Sequence, residues 1–200
     1  MTPWTVILAA GESRRFGAPK LLQRIGGTTL LQRAINLATQ VTSNRVIVIL
    51  GCNAAQILEQ HSNNQCQFIL NEHWSNGMGT SLACAANTRL KQPPDNSGLL
   101  VMLADQVALD KPDLQCLIEE WQRDPNRPAA ASYGSTLGPP VIFPEAFLPQ
   151  LASLDGDSGA KSILQRRESK TLAVAMANAA FDIDTAADLE RLEEKLPRED

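Results

Sequence analysis

Glycines and basic side chains lie together in a loop near the start of the chain, where they could bind an anion. The loop follows a short apolar run at residues 4–8, and a helical pattern begins after it, near Thr28. The residues concerned are Gly11, Arg14, Arg15, Gly17 and Lys20. A strand that opens into a glycine loop before a helix presents backbone N–H groups to an anion, and nearby cations add positive charge. This arrangement predicts a cradle for the phosphates of a nucleoside triphosphate.

The spacing of the loop excludes two common phosphate-binding motifs. A Walker A loop has the form GxxxxGK[ST], whereas here five residues separate Gly11 from Gly17 and Lys20 falls three places after the second glycine. A dinucleotide fingerprint requires GxGxxG, and Gly11 stands alone at the turn. The loop therefore belongs to another class of phosphate site.

Aspartates near the ends of predicted strands are candidate metal ligands. Asp105 directly follows the apolar run at residues 99–104, and the ligands of parallel sheets gather beyond the carboxyl ends of the strands. Asp182 and Asp184 flank Ile183, and they face the same side if the predicted strand continues through them. Mg²⁺ binds through a few carboxylates, phosphate oxygens and water, so two aspartates from separate strand ends suffice.

The same aspartates could instead have a structural role. Asp105 could cap a helix or a turn, and Asp184 or Thr185 could cap the last helix. The segment from Thr185 to Asp188 has the S/T-x-x-D/E form of a helix start. One residue could also bind a metal and cap a helix.

Composition and charge limit the partners that we expect. The chain has 200 residues and a formal net charge of −4, and its positive charge is concentrated in the first loop. No broad basic face is implied, so nucleic acid is not an expected partner. No stretch approaches the roughly 20 apolar residues of a membrane span, and no signal segment precedes the first strand. We expect a cytoplasmic protein without a membrane partner.

Strand and helix patterns alternate at least four times before residue 128. The predicted strands are residues 4–8, 45–50, 66–70 and 99–104, and the predicted helices are 30–38, 54–61, 82–90 and 114–121. The strands are continuous apolar runs, which is typical of parallel sheets covered on both faces. The pattern predicts an α/β fold with a doubly wound, mostly parallel sheet.

From Pro128 onward glycine and proline become more frequent. Here we predict a helix that opens in residues 156–161, strands at 172–177 and 180–183, and a final helix whose apolar stripe ends near Leu196. We expect a single domain at residues 1–196. Residues 1–127 would bind the nucleotide, residues 128–196 would form the acceptor side, and residues 197–200 would be a tail.

The first loop closely resembles LAAGxSxRFGxxK, a signature of the small nucleotidyltransferases that act on molybdenum cofactor. Five further segments resemble the same family in the same order, so the resemblance covers nearly the whole chain. They are Asn71, Trp74, Gly77, Met78, Ser81 and Leu82; Asp105 and Gln106; Gly138, Pro140, Val141 and Phe143; Gly156 to Ala160; and Asp182 to Leu189.

The resemblance implies a Rossmann-like nucleotidyltransferase fold of the glycosyltransferase-A type. It implies that Arg15, Lys20 and Asp105 are catalytic and that Asp105 and Asp184 bind Mg²⁺, with Asp182 as the less favoured second ligand. It also implies that the first loop and the turn before the third helix bind the nucleotide. The residues concerned are Leu8, Ala9, Ala10, Gly11, Glu12, Ser13, Arg15, Lys20, Gly79 and Ser81.

The details of the motifs favour a cytidylyl enzyme. Ala10 stands where guanylyl enzymes of this family tend to carry glycine. The resemblance thus implies transfer of CMP from CTP to molybdopterin, with a client molybdoenzyme as a further partner. Val107 stands where proline is commoner in this family, and Lys161 stands where arginine is frequent. Lysine keeps the positive charge but not the bidentate geometry of arginine.

Two other functions are compatible with the same residues. One is transfer of another nucleotide or to another acceptor, such as guanylyl transfer from GTP or transfer to a sugar phosphate. The other is a non-catalytic chaperone that binds molybdenum cofactor. The basic loop and the aspartates favour catalysis, because a carrier does not need to stabilise a leaving pyrophosphate.

Overall fold

The computed structural model describes residues 1–13, 16–61, 66–157, 159–165, 170–183 and 185–193. The strands are β1 (Trp4–Ala9), β2 (Arg24–Ile25), β3 (Thr28–Thr29), β4 (Val46–Leu50), β5 (Gln67–Leu70), β6 (Leu99–Leu103), β7 (Ala129–Tyr133), β8 (Thr136–Phe143) and β9 (Leu172–Ala175). The α-helices are α1 (Leu30–Thr42), α2 (Ala54–Gln60), α3 (Met78–Leu90), α4 (Lys111–Arg123), α5 (Leu148–Ala152), α6 (Lys161–Leu164) and α7 (Ala186–Glu193).

Seven of these strands form one sheet in the order β5-β4-β1-β6-β8-β7-β9. β5, β4, β1 and β6 run parallel to one another, and β7 pairs in parallel with β9. β8 is antiparallel to both of its neighbours, β6 and β7. The prediction of a mostly parallel sheet is confirmed.

Helices cover the sheet on both faces, which confirms the doubly wound arrangement. In β1, Val6 packs into one core with α3 and α5, while its neighbour Ile7 packs into the other core with α1 and α4. In β4, Ile47 and Val48 divide between the two cores in the same way. Because both faces are buried, every residue of β4 is apolar and buried.

The last third of the chain differs from the prediction in two places. The segment after Pro128 forms the β7–β8 hairpin, which the high content of glycine and proline obscured. Residues 180–183 are not a strand, since a 3-10 helix occupies Ala177–Ala180 and residues 181–183 pair with no strand. The argument that placed Asp182 and Asp184 on one face of a strand was therefore wrong, and Asp184 lies outside the described residues.

A small separate cluster brings the end of the chain against its beginning. Ile183 is fully buried with Ile25 and Leu30, and Phe16 and Leu189 pack around them. The backbone N–H of Ile183 donates to the carbonyl of Asp105 at 3.2 Å. This segment therefore packs on the first loop instead of extending the sheet, because its apolar side chain is buried there.

The start of α7 agrees with its predicted form. The backbone N–H and hydroxyl of Thr185 donate to the carboxylate of Asp188, and the backbone N–H of Asp188 donates to the hydroxyl of Thr185. This reciprocal pair is a capping box. No helix in the described ranges is both long enough and apolar enough to span a membrane.

Candidate active site

A cavity of about 610 Å³ opens where β1 and β6 end. This is the edge of a parallel sheet where ligands bind, because the loops that follow the strands converge there. Most of the residues predicted from the sequence meet at this cavity. Those that line it are Leu8, Ala9, Ala10, Gly11, Glu12, Ser13, Lys20, Ser81 and Asp105.

Lys20 and Asp105 form the charged centre of the cavity. The ammonium nitrogen of Lys20 lies 2.6 Å from Oδ2 of Asp105 and donates at 2.7 Å to the carbonyl of Ile183. The two side chains are 11% and 23% exposed, so water screens the pair less than it would on an open surface. Three segments far apart in sequence thus fix the position of one ammonium group.

The first loop presents its backbone to the cavity. Ser13 adopts a left-handed conformation with φ of 56°, and its carbonyl accepts a hydrogen bond from Phe16. A Cβ at Gly11 would meet no atom within 4 Å, so the backbone faces open space there. In the described part of the chain, the backbone N–H groups of Gly11 and Ser13 donate to no other residue. They are donors that an anion could use.

Gln106 fixes the loop that carries Asp105. Its side chain is buried, and its amide donates to the carbonyls of Pro139 at 2.9 Å and Ala179 at 3.0 Å. The residue therefore joins the end of β6 to β8 and to the 3-10 helix near the end of the chain. The sequence motif included Gln106, but nothing in the pattern indicated this bridging role.

The opposite wall is built around the start of α3, which begins four residues earlier than predicted, at Met78. The buried side chain of Asn71 donates to the hydroxyls of Thr80 at 2.9 Å and Ser81 at 3.1 Å, which orients Ser81 at the cavity. Gly79 does not line the cavity, and its N–H donates to the carbonyl of Gly156 at 2.9 Å.

Several lining residues received no role from the sequence. They are Leu21, Trp74, Ser75, Gly77, Met78, Leu103, Ala104 and Asp157. Trp74, Gly77, Met78 and Asp157 belong to motifs that supported the family resemblance, so the motifs themselves were the available signal. Gly77 lies against Gly156 and Asp157, which are distant from it in sequence, whereas Trp74 lies against Gly51.

Two predicted site residues, Arg15 and Asp184, lie outside the described residues. Within the described ranges, no group of three or more His, Cys, Asp or Glu side chains could hold a metal ion. The lining carboxylates are those of Glu12, Asp105 and Asp157. Asp105, just after the end of β6, suits a cation such as Mg²⁺, which usually binds through one or two carboxylates, substrate phosphates and water.

Comparisons with known proteins agree with the fold. Nicotine blue oxidoreductase of Paenarthrobacter nicotinovorans is 28% identical over 201 residues, which cover 94% of this chain and 94% of that protein. Among solved structures, the homologue of Mycobacterium tuberculosis Rv0371c from Mycobacterium sp. strain JC1 has a TM-score of 0.81 at 28% identity, covering 96% of this chain and 94% of that one.

Rv0371c from M. tuberculosis H37Rv, solved in complex with manganese, has a TM-score of 0.79 at 24% identity. The match covers 98% of this chain and 100% of that one, and it shows a common fold. The sequence also matches the MobA-like NTP transferase domain over residues 5–171. Because that match spans most of the chain, this protein belongs to the MobA-like NTP transferase family.

Proposed function

We propose that this protein transfers CMP from CTP to a molybdopterin-type acceptor and releases pyrophosphate. The observation that carries the proposal is the Lys20–Asp105 pair, joined at 2.6 Å inside the cavity that the first loop lines. A cation and a carboxylate at this position suit a reaction in which negatively charged phosphates must be brought together. Such a transfer requires mainly positioning and charge stabilisation from the protein.

The reaction exchanges one bond to phosphorus for another. A terminal phosphate oxygen of the acceptor forms a bond to the α-phosphorus of CTP, and the bond from that phosphorus to the β-phosphate oxygen breaks. Pyrophosphate leaves with the electron pair. Lys20 stabilises the charge on the departing pyrophosphate, and we assign the same role to Arg15 from the family resemblance. The backbone N–H groups of the first loop hold the β- and γ-phosphates.

A divalent cation fits this proposal, and Mg²⁺ is the one that we propose. Asp105 would hold it, with Asp184 as the second ligand implied by the family resemblance. When bound, the cation supplies positive charge to the phosphate oxygens. Manganese in the Rv0371c structure belongs to that protein, and the present assignment depends on Asp105 at the end of β6.

The Lys20–Asp105 contact also has a consequence for binding. The ammonium of Lys20 and the carboxylate of Asp105 form an ion pair before a nucleotide binds, so neither is an isolated charge in a partly buried position. A triphosphate gives Lys20 new anionic partners, and a cation gives Asp105 a new positive one. The pair therefore holds both groups in place until the substrate binds.

The remaining parts of the proposal come from the motifs. The small Ala9–Ala10 turn favours CTP over GTP, as in the cytidylyl enzymes that it resembles. We further propose that residues 1–127 bind the nucleotide and residues 128–196 receive the acceptor within one domain. A client molybdoenzyme and a cytoplasmic location complete the proposal.

A pyrophosphate-release assay tests the function directly. The protein is incubated under anaerobic conditions with molybdopterin, Mg²⁺ and each of the four nucleoside triphosphates in turn. We expect release with CTP that depends on both the acceptor and the metal. Release with GTP instead would replace the cytidylyl assignment with a guanylyl one, and no release with any nucleotide would refute the transfer.

One relative supports a second candidate of a different class. The name of nicotine blue oxidoreductase describes a redox enzyme, and that protein matches this chain along nearly its whole length. One fold can host unrelated chemistries, so a redox function is a candidate for this chain as well. Oxidation of NADH or NADPH by the purified protein with a quinonoid dye, in the absence of nucleotide turnover, would favour this second candidate.

A further inference from the structure

Two groups on one wall of the cavity have no role in the proposed transfer. Met78 lies in the first turn of α3 and is 50% exposed, although it is a large apolar side chain. Asp157 lies in the turn between α5 and α6 and also lines the cavity. Among the described residues, the carboxylate of Asp157 has no hydrogen-bond or ion-pair partner. The wall thus offers an apolar surface and a hydrogen-bond acceptor side by side.

A contact between two glycine turns fixes the position of this wall. Gly77 has a φ of 120°, and a Cβ there would lie 2.4 Å from the carbonyl carbon of Gly156 and 2.6 Å from Oδ1 of Asp157. The N–H of Gly79 donates to the carbonyl of Gly156 at 2.9 Å. The turn that carries Asp157 is therefore fastened to the start of α3, next to Met78.

Charge decides what kind of group can lie beside Asp157. Lys20 is the cation among the described lining residues, and it pairs with Asp105. A phosphate next to Asp157 would meet a like charge with which no cation of the described residues pairs, which is unfavourable. A neutral group that donates a hydrogen bond would instead satisfy the carboxylate, and hydrogen bonds to charged acceptors are the stronger kind.

We propose that Met78 and Asp157 bind a planar heterocycle that carries an amino group. Met78 packs against the face of the ring, and Asp157 accepts a hydrogen bond from the exocyclic N–H. This inference rests on the proposed function, because the heterocycle is either the base of the nucleotide or the pterin ring of the acceptor. Cytosine, guanine and pterin share this amino group, and a carbonyl oxygen in its place would be repelled by the carboxylate.

The first arm of the test concerns the nucleotide. Asp157→Asn keeps the size of the side chain and removes its charge, and an amide can donate as well as accept. Isothermal titration compares CTP with UTP and GTP with ITP, pairs whose second member lacks the amino group. If the base lies against Asp157, the wild-type preference for the amino member falls about tenfold in the variant, as expected for the loss of one such hydrogen bond.

The second arm concerns the acceptor. Pterin-6-carboxylate and 6-carboxylumazine have the same ring system, but an oxygen replaces the 2-amino group in the second. Their binding to the CTP-saturated protein is followed by ligand fluorescence. If the pterin lies against Asp157, the wild-type protein prefers pterin-6-carboxylate, and Asp157→Asn reduces that preference about tenfold.

Two further variants separate recognition from a structural effect. Met78→Ala should weaken the binding of both members of a pair by the same factor, because it removes apolar contact and leaves the carboxylate of Asp157 in place. Glu119→Gln removes an exposed carboxylate from α4 and should change neither affinity nor preference. Unchanged circular dichroism checks that each variant is folded.

The outcomes distinguish this inference from the proposed function. A reduced preference in either arm supports the inference and identifies which ring lies at Asp157. Preferences that are equal in wild type and Asp157→Asn in both arms overturn it. Failure of the transfer itself would appear as absent pyrophosphate release by the wild-type protein, while the binding arms can still be read.

Discussion

Two charged clusters lie beyond opposite ends of β1, and they use similar ion pairs for different purposes. At the carboxyl end, Lys20 pairs with Asp105 beside the cavity. At the amino end, Arg89 pairs with Asp95 beside Trp4, the first residue of the strand. Both pairs involve segments that α/β topology brings together at a sheet edge.

The cluster at the amino end draws its ion-pair partners from the protein itself, although Nε of Arg89 is buried without a hydrogen-bond partner among the described residues. Arg89 is 1% exposed, and its guanidinium contacts the carboxylates of Asp95 and Glu145 and the carbonyl of Pro93. Its Cζ also lies 5.9 Å from the ring centre of Trp4. Arg89 is thus enclosed by protein groups, and its ion pairs and hydrogen bonds hold the end of α3 to neighbouring loops.

The cluster at the carboxyl end is different because it faces a cavity. Lys20 and Asp105 hold each other in place, but incoming phosphates or a cation could replace either partner. An arginine enclosed by protein groups supports the fold, whereas an ion pair that borders a cavity can take part in chemistry. Variants at the two ends should therefore separate activity from stability.

The largest effect is expected at the cavity. Lys20→Ala and Asp105→Ala should each lower the rate of pyrophosphate release by about 10²–10³, because one well-placed electrostatic contact is lost. Release is measured at saturating CTP, Mg²⁺ and acceptor, and thermal melting shows whether the fold is retained. Lys111→Ala, in the first turn of α4, is the matched control. Near-normal turnover by either cavity variant would contradict the assignment of catalysis to the cluster at the carboxyl end of β1.

The next effect is expected at the other end of β1. Arg89→Met keeps much of the side-chain volume but removes the charge that Asp95 and Glu145 share. Urea unfolding should show a loss of about 1.5–3 kcal/mol, the range for a lost hydrogen bond to a charged group. The pyrophosphate release of the folded fraction should stay within twofold of wild type. A catalytic defect without loss of stability would contradict the assignment of this cluster to the fold.

A smaller effect is expected where the two glycine turns touch. Gly77→Ala combines an unfavourable φ of 120° with a close contact to Gly156, so we expect a loss of about 1–3 kcal/mol and weaker substrate binding. Gly134→Ala is the control, since Gly134 also has positive φ but a Cβ there meets nothing within 4 Å. If both variants lose equal stability and bind substrate equally well, the contact does not shape the cavity.

The smallest effect concerns pH. Burial acts to raise the pKa of Asp95, but hydrogen bonds from Ser97 and the charge and hydrogen bond of Arg89 outweigh it and lower the pKa to about 2. Because the folded pKa is below the ordinary value of 3.8, the carboxylate stabilises the fold above that value and loses this contribution as pH falls toward 2. The difference in unfolding free energy between wild type and Asp95→Asn should shrink over that interval. If the difference in unfolding free energy stays constant over this pH range, the Asp95 carboxylate does not stabilise the fold in this way.

The parallel half of the sheet could be predicted closely because its signals are local. β1, β4 and β6 are continuous apolar runs, and each ends within one residue of its predicted end. The first loop was predicted as a phosphate site because glycine and basic residues are dense there, and the structure places this loop at the cavity. Helix starts were less accurate, since Gly77 and Met78 look like a turn until the packing against Gly156 is known.

The last third of the chain could not be predicted with the same accuracy. The β7–β8 hairpin contains glycine and prolines, which weaken any strand pattern, and its pairing with β6 supplies the missing stability. Phe181 and Ile183 are apolar, but residues 181–183 pair with no strand, because Ile183 is buried against Ile25 and Leu30. Contacts of this kind join residues more than a hundred positions apart.

By itself, the sequence determined the fold class and the family and predicted a phosphate loop, because short-range patterns of apolar, glycine and basic residues carry that information. Tertiary structure alone decided that Lys20 meets Asp105 and Ile183, that Gln106 bridges three segments, and that Asp157 faces the cavity from the opposite wall. The physical reason is that these contacts depend on the packing of distant segments, and local patterns do not encode which loops converge at the same edge of a sheet.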